Sequence, residues 1–105
     1  MLALKDEPNL KVHFVIGILV ALLGYYLHIN QTEWMTLILV MGLVIALELT
    51  NTAIEEIVNV FAADMHPAAK KAKDVAAGAV LVASITAILI GVSVFFPYLY
   101  RLLMQ

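Results

Sequence analysis

The chain has 105 residues, enough for one domain, and 64% of them are hydrophobic, well above the roughly 45–50% apolar usage of soluble domains. With a mean hydropathy of +1.00, a membrane protein is the default reading. Six basic residues and a net charge of −2 supply no basic field for nucleic acid, and the lack of cysteine excludes disulfides, thiolate metal sites and thiol nucleophiles.

The first apolar run, from about Val12 to Ile29, follows Lys5 and Lys11 as a signal peptide would. It ends in "GYYLHINQTEW" without a small-residue cleavage site, so it reads as a retained span. The second run starts at Trp34 and reaches the roughly 20 residues of a bilayer crossing only if the polar stretch after Leu47 is included. The third, from Val75 to about Tyr100, carries no charge between Asp74 and Arg101. The expectation is an all-α, integral membrane domain over the whole chain, with three spans at about 9–29, 33–62 and 73–100. A soluble bundle would need polar outer faces, which these helices lack.

Orientation follows from the distribution of positive charge. "HINQTE", between the first two spans, has no Lys or Arg, whereas "DMHPAAKKAKD" carries Lys70, Lys71 and Lys73. The positive-inside rule then puts the N-terminus and the lysine loop on the cytoplasmic side, with the C-terminus outside. Tyr25, Tyr26, Trp34, Tyr98 and Tyr100 read as aromatic anchors at the outer interface, and His28 as a residue of that surface.

The second helix can run from about Thr32 to Ala63, roughly 45 Å at 1.5 Å per residue, which is longer than the hydrocarbon is thick. Its last third must emerge into the headgroup region, ending near "MHPAA", where Pro67 can open the next helix. Glu48 then lies near the inner edge of the hydrocarbon and Glu55 at the interface. On a helical projection Glu48, Asn51, Thr52, Glu55 and Asn59 share one face within roughly 100°, with Glu56 at its edge.

An ionised carboxylate at membrane depth is costly unless paired, hydrated or protonated, so Glu48 calls for a functional reason. At the boundary of lipid and cytoplasm it can act as a general base on a lipid hydroxyl. Glu55 is placed to hold a hard cation such as Mg²⁺, which takes one or two carboxylates together with phosphate oxygens. For Glu55, Glu56 and Asn59 the competing reading is a long helix emerging into water, with Asn51 as helix–helix glue. The lysine loop could supply phosphate ligands, although Lys70 and Lys71 are better explained by topology. Lys73 and Asp74, read as the mouth of the third helix, stand out because Asp suits the helix dipole there and Lys does not. No Walker loop and no protein-kinase signature is present in the sequence.

The order Glu48, Asn51, Glu55 in "ELTNTAIEE", followed by "HPAAKKAKDVAAGAV" from His66 to Val80, resembles the prokaryotic diacylglycerol kinase family, including its undecaprenol kinase branch. The resemblance implies a homotrimer of three-span subunits that transfers the γ-phosphoryl of ATP to a membrane lipid hydroxyl with Mg²⁺. On that pattern Glu48 is the base and meets the lipid, Asn51 is its polar neighbour, and Glu55 holds the metal together with Glu7. Lys73 and Asp74 meet the ATP phosphates and ribose region, Asp64, Met65 and His66 flank the nucleotide, and Ala77 stands at a lipid-contacting position. "TEW", His13 and "HPAAKKAKD" look more like the undecaprenol kinases, so undecaprenol is the favoured acceptor and diacylglycerol the next. The family's amphipathic N-terminal helix would precede Glu7, where only "MLALKD" stands. A truncated start and a member that works without that helix are the two expectations.

Two further patterns have bland readings. Ala79, Ala83, Ala87 and Gly91 form a small-residue ridge that suits either packing within the subunit or a subunit interface. Met35, Met41 and Met65 are otherwise packing residues, and His13 reads as a first-turn interfacial residue rather than a metal ligand. The rival functions are an oligomeric transporter or channel with Glu48 as a proton-binding carboxylate, and a non-catalytic family member. The transporter is disfavoured because the ionisable residues cluster at one side.

Overall fold

The computed structural model describes residues 8–61 and 67–105, with side chains from Leu10 onward. These residues form three helices: α1 (Pro8–Leu27), α2 (Gln31–Phe61) and α3 (Pro67–Leu103). All three are long and apolar enough to cross a membrane. Large apolar side chains cover their outer surfaces, with Leu22, Leu39, Val82 and Leu89 each more than half exposed. That is the inverse of a soluble bundle and suits a lipid solvent. Threonine hydroxyls within the spans bond back into their own helix, Thr36 to the Thr32 carbonyl at 2.8 Å and Thr86 to that of Val82 at 2.9 Å, so they need no water.

α1 ends in a tight reversal. His28 takes the left-handed conformation (φ 57°), its N–H donates to the Tyr25 carbonyl at 3.3 Å, and the Ile29 N–H donates to that of Gly24 at 3.2 Å. This is a Schellman closure with histidine where glycine is usual. α2 then opens on a reciprocal cap: Asn30 Oδ1 accepts from the Glu33 N–H at 2.8 Å, and Glu33 Oε1 accepts from the Asn30 N–H at 3.0 Å. Gly24 completes the turn by making room. A Cβ there would lie 2.9 Å from both Ile29 Cδ1 and the Trp34 ring.

Beyond this turn Ile29, Leu37, Val94 and Phe95 form a buried cluster, with Trp34 and Tyr98 packed against it. Trp34 and Tyr98 therefore belong to the core at this end, whereas Tyr25, Tyr26 and Tyr100 are exposed as interfacial anchors would be. Most of the small-residue ridge of α3 turns into the subunit: Ala83 is buried, and Ala87 and Gly91 line a groove between the three helices, while Ala79 is exposed.

α3 starts earlier than the expected span at 73. Pro67 suits the first helical position, and the alanines and lysines that follow are strong helix formers, so the helix nucleates well before the apolar run. As a result Lys73 and Asp74 sit in the second turn, not at the mouth. The first turn holds no acidic residue, and the dipole argument for Asp74 does not apply.

Candidate functional site

The inward face of α2 is a seam. Leu37, Val40 and Val44 are buried on it at helical spacing, and the next buried position is Glu48, only 3% exposed. The same seam continues through half-buried Asn51 and Glu55 to buried Val58. The polar stripe is thus the packing face of the helix turned polar for three successive positions.

Each of these groups has a defined partner. Glu48 Oε2 lies 3.1 Å from His13 Nε2 of α1, across 35 residues of sequence. Asn51 Nδ2 donates to Glu55 Oε1 at 2.9 Å, an i,i+4 bond that holds the carboxylate against its own helix. The Glu48 backbone carbonyl accepts from the Thr52 hydroxyl at 3.1 Å. Lys73 Nζ reaches Asn59 Oδ1 at 3.3 Å, joining α3 to the far end of the stripe. Glu56 is exposed and outside the seam, in line with its place at the stripe's edge.

An open cavity of about 490 Å³ lies between α2 and α3 beside Asn51, walled by Leu47, Thr50 and Ile54 on one side and by Lys71, Ala72 and Val75 on the other. Lys71, explained by topology in the sequence reading, is a wall of this space. Asp74 and Ala77 are exposed, and neither is among the residues lining it. Glu7, Asp64, Met65 and His66 lie outside the described residues.

Among the described residues no three His, Asp or Glu side chains converge as a metal cluster. Two oxygens nevertheless suit a hard cation. Glu55 offers a carboxylate, and Asn51 Oδ1 is buried with no hydrogen-bond partner among the described residues. An unpaired buried carbonyl oxygen is costly, and both oxygens are of the kind Mg²⁺ accepts when phosphates and water complete its shell.

The His13–Glu48 contact is the main feature that the sequence reading missed. His13 reads there as an interfacial residue, because α1 is apolar all round and its pattern does not mark the side that meets α2. The contact of Tyr98 on α3 with Glu33 on α2, whose carboxylate accepts the phenol hydrogen, was also missed, because 65 residues of sequence separate the two.

The family model for prokaryotic diacylglycerol kinase matches residues 1–95. The chain is 39% identical over 95 residues to an undecaprenol kinase of Bacillus subtilis, covering 90% of this chain and 77% of the relative. It is 37% identical over 102 residues to a diacylglycerol kinase of Synechocystis, covering 96% of this chain and 58% of that protein. A diacylglycerol kinase of Helicobacter pylori is 35% identical over 80 residues, 76% of this chain and 62% of the relative. The chain thus spans less than two thirds of those two diacylglycerol kinases. No solved structure gives a significant match. With its three apolar helices, its "ELTNTAIEE" seam and a family match over nearly its whole length, the chain belongs to the prokaryotic diacylglycerol kinase family.

Proposed function

We propose that the chain is a lipid kinase that transfers the γ-phosphoryl group of ATP to a membrane lipid hydroxyl, with undecaprenol ahead of diacylglycerol as acceptor. The observation that carries this reading is Glu48, a carboxylate buried on the packing face of α2 where its apolar seam turns polar. At 1.5 Å per residue it stands about 21 Å along α2 from Trp34, inside a hydrocarbon layer roughly 30 Å thick that begins at that residue. That is the cytoplasmic third of the layer, within reach of a lipid hydroxyl that dips below the headgroups, when the N-terminus and the α2–α3 connection face the cytoplasm and the C-terminus lies outside.

Glu48 accepts the hydroxyl proton as the lipid oxygen attacks the γ-phosphorus and ADP leaves. Glu55, Asn51 and Glu7 are the residues that would hold Mg²⁺, which when bound would supply charge neutralisation at the phosphates. Lys73 offers its ammonium to the same phosphates, and Asp74, Asp64, Met65 and His66 border the nucleotide. Ala77 stands on the lipid side. The apolar outer surfaces leave room for packing into a homotrimer. The preference for undecaprenol draws on the Bacillus subtilis relative, which is named an undecaprenol kinase and matched over 77% of its length.

The test is transfer of labelled phosphate from ATP to undecaprenol and to diacylglycerol in mixed micelles. Phosphorylated undecaprenol in excess is the expected product, and Glu48→Gln should abolish it. Failure to label either lipid sinks the kinase reading. Equal labelling of both lipids sinks the acceptor preference alone.

A further inference from the structure

The structure assigns to His13 a part in the reaction. We infer that its imidazole is the positioning residue that holds the Glu48 carboxylate by Oε2 and so presents Oε1 to the lipid hydroxyl. The inference rests on the reading of Glu48 as the base and adds the group that aims it.

Three observations meet at this ring. His13 Nε2 lies 3.1 Å from Glu48 Oε2, and the two side chains are only 19% and 5% exposed, so the bond is formed largely out of solvent. To act as a base Glu48 must be ionised, and an ionised carboxylate only accepts, so in the reactive arrangement Nε2 is the donor. The ring also walls the inner end of an apolar groove of about 230 Å³ between the three helices, lined by Ile16, Val44, Ser84 and, farther along, Phe95. Along α3 from Ser84 to Phe95 that groove spans about 16 Å at 1.5 Å per residue. A lipid chain lying in it brings its polar end to the imidazole, one hydrogen-bond length from the Glu48 carboxylate that the ring holds.

The choice of residue type fits the task. A glutamate side chain has three torsions, and a base must meet its proton within hydrogen-bond reach, so anchoring one oxygen removes the freedom that would otherwise misplace the other. A lysine in place of His13 would hold the carboxylate but add a fixed positive charge that makes it a weaker base. An imidazole is able to donate the same bond in its uncharged form, which an ammonium is not. The partner comes from α1, so the base is aimed by a helix other than its own.

The experiment uses the full chain in mixed micelles with ATP and undecaprenol, comparing wild type, His13→Ala, His13→Gln and Glu48→Gln. A parallel measurement records the His13 ring nitrogen resonances by NMR in wild type and Glu48→Gln. His13→Ala should lower kcat about ten- to a hundredfold, the usual effect of losing a group that orients a reacting one, while leaving the KM for ATP unchanged. His13→Gln, which keeps a donor at similar reach, should recover most of the loss. The His13 ring signals should move when Glu48 becomes glutamine. Wild-type kcat in His13→Ala alongside an inactive Glu48→Gln overturns the inference and leaves Glu48 as the base. Equal losses in His13→Ala and His13→Gln, with ring signals that ignore Glu48→Gln, also overturn it, since they describe a packing residue. An active Glu48→Gln, or a wild-type chain that phosphorylates nothing, overturns the base assignment and this inference together.

Discussion

At the turn between α1 and α2 the chain closes on itself: a Schellman reversal, a reciprocal Asn30–Glu33 cap, the Tyr98 hydroxyl on the Glu33 carboxylate and an apolar cluster around Trp34. At the Glu48 end the same helices carry an open cavity, a buried carboxylate held by one imidazole, and an asparagine oxygen with no partner among the described residues. The first arrangement satisfies its polar groups, and the second keeps some in reserve. Polar groups left unmatched in a low-dielectric interior cost stability and persist where binding or chemistry completes them. The two ends of the same three helices thus differ in how fully their polar groups are matched.

Substitutions at the two ends should therefore fail in different ways. The largest effect is expected from Glu48→Gln, which should cut lipid phosphorylation by about 10²–10⁴-fold, the range for losing a general base, while the thermal midpoint in detergent stays level or rises. A large fall in that midpoint would show that Glu48 belongs to the framework and would erase the contrast. Glu55→Gln should raise the Mg²⁺ concentration needed for half-maximal activity by at least about tenfold, as loss of ligand-shell groups does, with helicity by circular dichroism unaltered. An unchanged Mg²⁺ titration would remove Glu55 from the metal.

At the other end the ordering should reverse. Gly24→Val forces a branched side chain toward the Trp34 ring, 2.9 Å from where its Cβ must sit, and overpacking of this kind costs about 1–3 kcal/mol. Detergent unfolding followed by tryptophan fluorescence should show the loss, while folded protein retains its kcat. A kcat lost without instability would couple the two ends and break the separation. Last and smallest, His28→Gly relieves a left-handed histidine and should raise the unfolding midpoint by up to about 1 kcal/mol equivalent, because glycine adopts that conformation freely. A lower midpoint would mean that the histidine side chain contributes more than its backbone costs.

Parts of both ends were legible before any fold was known. Glu48, Asn51 and Glu55 fall on one helical face by spacing alone, and the Asn51–Glu55 bond is an i,i+4 contact that any α2 would bring within reach. The cap in "NQTE" was equally local, yet a reading based on apolar runs passed over it. The mouth of α3 was misplaced because hydropathy marks where a helix enters lipid, whereas Pro67 and the alanines and lysines after it decide where the helix begins. Lys73 consequently meets Asn59 from within a helix already formed.

The sequence by itself determined three long apolar helices, the side of α2 on which its polar groups gather, and a motif specific enough to name a family. These properties depend on helix period and residue type, which act over a few neighbouring positions. Only the tertiary structure decided that His13 faces Glu48, that Tyr98 reaches Glu33 and that most of the small-residue ridge of α3 turns inward. The physical reason is rotational: a helix that is apolar on every side can pack through any of them, and the choice is made by the shape and polarity of its neighbours.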